Sequence, residues 1–96
     1  MEIRDKLTQS FQEHFGDDPG FAIDFDPSPP DRVTGTLTLE VFNGKKEYER
    51  QNMIWDVLDE ELTDDERFMI TIIIANTPRE TAMFQAQQRG GDARGR

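Results

Sequence analysis

The residues that could do chemistry are few. The 96-residue chain has one histidine, His14, and no cysteine, which excludes disulfides, thiolate nucleophiles and Cys-based metal or iron–sulfur sites. With a single imidazole, no His pair can bind a metal and no serine–histidine relay can gain a second imidazole in support. His14 falls where the last turn of a helix is expected, and there a histidine simply favours the dipole. Acids are plentiful. Asp24, Asp26 and Asp31, or the block from Asp56 to Glu66, could attract Ca²⁺ or Mg²⁺ through oxygen ligands, yet neither stretch has the spacing or the glycine of an EF-hand loop. Weak counterion binding is the limit of that reading. No spacing selects two carboxylates for acid–base work, and phosphate-loop, dinucleotide and nucleophile-elbow signatures are absent. Recognition is the chemistry left. Lys45, Lys46 and Arg50 form the nearest thing to a basic cluster, suited to an acidic partner or a few phosphates. Trp55 and Tyr48, with Phe42 beside them, offer an aromatic anchor, although their helical spacing favours core packing.

Twenty acidic against 11 basic residues give a net charge of -9, a surface that repels phosphate backbones and anionic membranes. Generic nucleic-acid binding is therefore disfavoured. Abundant Asp with few Lys also suits a high-salt cytoplasm. The opening MEIRDKLTQS carries charges where a secretory leader would be apolar, and the longest apolar stretch, Phe68 to Ala75, is far short of the roughly 20 residues of a membrane span. A cytoplasmic location is expected. The length allows one core, reinforced by self-association if at all.

The elements that must position these residues follow from periodicity. Ile3, Leu7, Phe11 and Phe15 recur every four residues, with Glu2 and Asp5 at the start and Gly16 after the end, predicting an amphipathic helix of about 14 residues. Phe21, Ile23 and Phe25 alternate with polar or small residues as in a half-wet strand. The Pro-rich run from Asp26 to Arg32 is a surface loop, since proline removes backbone donors. Val33, Gly35, Leu37, Leu39 and Val41 predict a second strand, antiparallel to the first and ended by Asn43-Gly44. From about Lys46, Tyr48, Ile54, Trp55, Val57, Leu58 and Leu62 predict the principal packing helix. Thr63-Asp-Asp-Glu66 is a capping box that starts a short helical turn. Phe68 to Ala75, rich in β-branched residues, predicts a third strand with Phe68, Ile70, Ile72 and Ile74 on one side and Met69, Thr71, Ile73 and Ala75 on the other. Thr77-Pro78-Arg79-Glu80 starts a final helix running to Gln88. The expectation is one α+β domain over residues 1–88, with a three-stranded mixed sheet, helices mainly on one face and a C-terminal helix. Residues 89–96, bearing Arg89, Arg94 and Arg96, are expected to be a disordered basic tail.

This element order resembles the BolA-like family, whose αββααβ domain is akin to the type II K-homology fold. The likeness covers about residues 2 to 80. It rests on Phe42-Asn-Gly44-Lys45 after the second strand, Glu49-Arg50 and Met53-Ile54-Trp55 in the helix, Glu60-Glu61-Leu62 at its end and Thr77-Pro78-Arg79-Glu80 after the last strand. These look like the family's F-x-G-K, E-R-H-R-x-V-Y, E-E-L and T-P-E-E stretches. The resemblance implies a domain that partners monothiol glutaredoxins through an iron–sulfur cluster. Here, however, the family's helix histidine falls on Gln51 and the second arginine of that stretch on Asn52, while its C-terminal ligand histidine falls near Met69. The loop between the first strands has neither His nor Cys. An amide oxygen and a thioether are poor replacements, so no cofactor and no metal are expected. The G-x-x-G loop by which K-homology domains grip nucleic acid is also missing.

The resulting expectation is a non-catalytic protein-interaction or regulatory module, with Lys45, Lys46, Arg50, Gln51 and Trp55 as partner-binding residues. The partner is a protein, either glutaredoxin-like or a second copy. Self-association is expected through Met69 and Ile73 on the uncovered side of the sheet together with Met83 and Phe84. A nucleic-acid module using Lys45, Lys46 and Arg50 is the alternative.

Overall fold

The computed structural model describes residues 2–27, 29 and 31–84. Helix α1 spans Ile3–Phe15. Glu2 closes its start by accepting the Arg4 amide at 2.6 Å, and Ile3, Leu7 and Phe11 bury one stripe, as a 3.6-residue period requires. Strands β1 (Ala22–Phe25), β2 (Val33–Thr38) and β3 (Ile70–Asn76) form one sheet in the order β1-β2-β3. The first pair is antiparallel and the second parallel. A parallel neighbour demands a long crossover, supplied by α2 (Glu47–Glu61) and the short α3 (Asp64–Phe68). Residues 78–84 are helical again. The expected continuation of that helix to Gln88 and the tail at 89–96 lie outside the described residues.

The core lies on one face of this mixed sheet. Val33, Leu37 and Leu39, with Ile70, Ile73 and Ala75, meet the α1 stripe and Ile54, Val57, Leu58 and Leu62 from α2 and its exit. Phe42 is fully buried with them. Gly35 is a close approach: a Cβ there would lie 2.7 Å from the Asp24 carbonyl oxygen and 2.9 Å from the Phe25 ring.

Polar contacts fix the elements to one another. Arg4 donates to the carbonyls of Pro29 and Arg32, at 3.2 and 2.9 Å, tying the proline loop to α1. Lys6 meets Glu66 at 2.7 Å, joining α1 to α3. Both expected caps form. Thr63 accepts from the Glu66 amide while Glu66 accepts from the Thr63 amide, and Thr77 and Glu80 repeat the exchange. At α2 only half a box exists: Glu49 accepts the Lys46 amide at 2.8 Å, because a lysine has nothing to accept with.

Three expectations need correction. The second strand ends at Thr38 rather than Val41, and Glu40–Phe42 is a 3₁₀ turn. The cause is Asp18, whose carboxylate takes the amides of Gly20 and Glu40 at 2.8 Å each and of Val41 at 3.0 Å, removing those groups from any ladder. Phe68 belongs to α3, and the third strand starts at Ile70. Finally, the register slips between Val33↔Ile70 and Thr34↔Ile72, leaving Thr71 as an extra residue. Such a bulge reverses the alternation beyond it. Ile70 and Ile73 therefore both face the core, the latter 1% exposed, while Ile72 is 47% exposed on the open face.

Candidate functional site

The open face of the sheet is the most distinctive surface. Register and alternation line it with Asp24, Thr34, Thr36, Thr38, Ile72 and Ile74. The helical residues 78–84 stand against it, with Thr81 Oγ1 3.3 Å from Thr38 Oγ1. Together they shape an open pocket of about 740 Å³, to which Ile74, Met83 and Phe84 give the apolar wall and Asp24, Thr36, Arg50 and Glu80 the polar one. Ile72, Ile74, Met83 and Phe84 all remain exposed. The helix after Pro78 thus leans on the sheet without covering it. Gly20 sets that lean, since a Cβ there would sit 2.5 Å from the Pro78 ring.

Of the four residues expected to mediate self-association, Met83 and Phe84 lie at this pocket. Ile73 does not: the bulge turns it into the core, and Ile72 and Ile74 take the exposed role. Met69 is half-buried against the core at the end of α3, where its carbonyl accepts the Val33 amide at 2.8 Å.

The basic cluster comes apart. Arg50 pairs with Glu80 at 2.8 Å and 3.2 Å, and it also donates to the carbonyls of Lys45 and Ala75. Its guanidinium carbon stands 5.8 Å from the Phe42 ring centroid. The charge is spent inside the fold, where it joins α2 to the start of the last helix. The hydrogen bonds from Arg50, and a further one from the Thr77 amide, hold the Glu80 carboxyl below its ordinary range despite partial desolvation. Lys45 and Lys46 are left as two lysines on a turn whose Gly44 takes a φ of 78°, a region open to glycine.

Gln51 is likewise committed. Its amide nitrogen donates to Glu47 at 3.0 Å and to the Ile73 carbonyl at 2.9 Å. Trp55 is half-buried, packed on the core on one side and lining a smaller pocket with Asp59, Asp64, Arg67 and Phe68 on the other. Tyr48, expected on the packing face, is exposed instead.

His14 meets an acidic pair that nothing near it in the chain announces. Its Nε2 lies 3.2 Å from Glu61 Oε2, and one donor atom from each of His14, Glu60 and Glu61 falls within 4.8 Å of the others. Among the described residues these could together hold a cation, although the imidazole already has Glu61 as its partner. Only the tertiary approach of the two helix ends creates the group. Among the described residues no helix is long and apolar enough to cross a membrane.

No protein-family model matches the sequence, and no curated protein matches it. Among solved structures, BolA1 from Arabidopsis thaliana superposes with a TM-score of 0.61 at 15% identity, covering 83% of this chain and 96% of that one. At such identity the likeness speaks for the fold alone. The arrangement of helices about a three-stranded mixed sheet is a BolA-like fold.

Proposed function

We propose that this chain is a non-catalytic, cytoplasmic protein-interaction module that docks its partner on the open face of the sheet and does not ligate an iron–sulfur cluster. The observation that carries the reading is the exposed apolar group Ile74, Met83 and Phe84 at the 740 Å³ pocket, with Ile72 exposed on the same strand, because clustered apolar surface rimmed by polar groups marks interaction sites. The fates of Gln51 and Met69 support the second half. One is hydrogen-bonded into the scaffold and the other is packed on the core, and neither offers the imidazole or thiolate that an iron site needs.

A second copy is the partner favoured first, with a glutaredoxin-like protein next. Two apolar faces of this size related by a two-fold axis would cover one another. Sedimentation at high micromolar concentration should show a dimer for the native chain and a monomer for Ile72→Asp/Ile74→Asp. A native chain that stays monomeric overturns the dimer. Mixing with a monothiol glutaredoxin, iron and sulfide should give no mixed cluster, and a stable one ligated by this chain would overturn the absence of ligation.

A further inference from the structure

Away from the open face, Phe68 is 89% exposed at the end of α3, although a free surface gains nothing from a phenylalanine. It lies beside Trp55 at a pocket of about 350 Å³ whose other walls are Asp59, Asp64 and Arg67, within the size range of specific ligand clefts, about 300–1,000 Å³. The capping box from Thr63 fixes α3 and so holds Phe68 in place. Arg67 is not available to an anion: it is paired with Asp64, lies 3.6 Å from Asp59 and donates to the Leu62 carbonyl at 2.9 Å. The pocket therefore joins two aromatic rings to an excess of negative charge over its one committed cation.

We propose that this pocket binds a basic segment of a partner protein, with the stem of an arginine or lysine lying over Trp55 and Phe68 and its charged head meeting Asp59 and Asp64. Long cationic side chains carry an apolar stem and a charged tip. Aromatic faces attract the cation as well, so one side chain satisfies both the rings and the carboxylates. A purely apolar occupant would desolvate two carboxylates that the single Arg67 guanidinium does not balance, and an anionic one would be repelled. The inference stands on residues separate from the open face and does not depend on it.

Trp55 is the chain's single tryptophan, so its emission reports on the pocket itself. The probe is a blocked octapeptide of alternating arginine and leucine, titrated into the full chain beside its glutamate-for-arginine counterpart. A saturable change in emission is expected for the arginine peptide alone, weakening as sodium chloride is raised. Phe68→Ala, which keeps the net charge and removes an exposed ring, should weaken binding by about tenfold with the thermal midpoint unchanged. Asp59→Asn/Asp64→Asn should weaken it by at least as much, and Val41→Ala, which trims an exposed apolar side chain elsewhere without changing charge, should leave it unaltered. Failure to saturate, equal response to the glutamate peptide, or unchanged affinity in Phe68→Ala would each overturn the proposal. So would a change in Trp55 emission with protein concentration alone, which would make a second copy the occupant.

Discussion

Asp18 does more than any other single side chain to shape the chain's path. Its two oxygens end β2, start the 3₁₀ turn and fix the loop leaving α1. Burial acts to raise its pKa, but the amides of Glu40, Gly20 and Val41 outweigh that and leave it lowered. A carboxyl with a lowered folded pKa contributes stability that is fully present above the unfolded value, about 3.9, and is lost as pH falls through the folded one. Asp18→Ala should therefore cost about 1–3 kcal/mol near neutrality. Urea titrations of both proteins should show that gap closing as pH is taken below about 4, and a gap independent of pH would contradict the account. None of this was legible in the sequence, because the partners lie 2, 22 and 23 residues away and only the fold brings the distant ones near. The boxes at Thr63 and Thr77 were legible, since each closes on a glutamate three residues on. The intramolecular partners of Arg50 and Gln51 were hidden for the same reason as those of Asp18: Glu80 and Ile73 lie in other elements.

Among the elements, β3 departs most from its sequence pattern. The β-branched run announces a strand, but its facing depends on how α3 hands the chain over. Met69 still has helical dihedrals while its carbonyl pairs with Val33, so the strand begins out of step and Thr71 absorbs the difference. The consequence is a sharp contrast between adjacent isoleucines. Ile73→Ala should lose about 2–5 kcal/mol, as for other buried aliphatic deletions, while Ile72→Ala should stay within about 0.5 kcal/mol of the native chain. Chemical denaturation of the two variants checks the bulge directly, since an unbroken alternation from Ile70 would give the reverse result. Helix α1, by contrast, was readable almost to its ends because one periodic stripe and two local caps specify it.

For the molecule as a whole, the element order carried the fold at a level of identity where residue-by-residue matching fails. The order of helices and strands was legible because each element has its own period, and the turn signals at Asn43-Gly44 and Thr77-Pro78 mark where they change. A three-stranded sheet nevertheless leaves two rims, and the rim of β3 is the more hazardous one, being seven residues long and rich in isoleucine. Gln51 and Arg50 donate to the carbonyls of Ile73 and Ala75, alternate groups that point away from β2. Two side chains of α2 thus occupy the positions where a foreign strand would attach its own amides. Their removal uncovers a template for strand addition between molecules. Arg50→Ala/Gln51→Ala should accordingly form thioflavin-binding fibrils at concentrations where the native chain stays clear, with the lag shortened further by salt as it screens the acidic surface. A double variant that remains clear under those conditions would show that α2 does not guard the rim; if fibrils form, then two neighbouring side chains of one helix keep the protein from polymerising on itself.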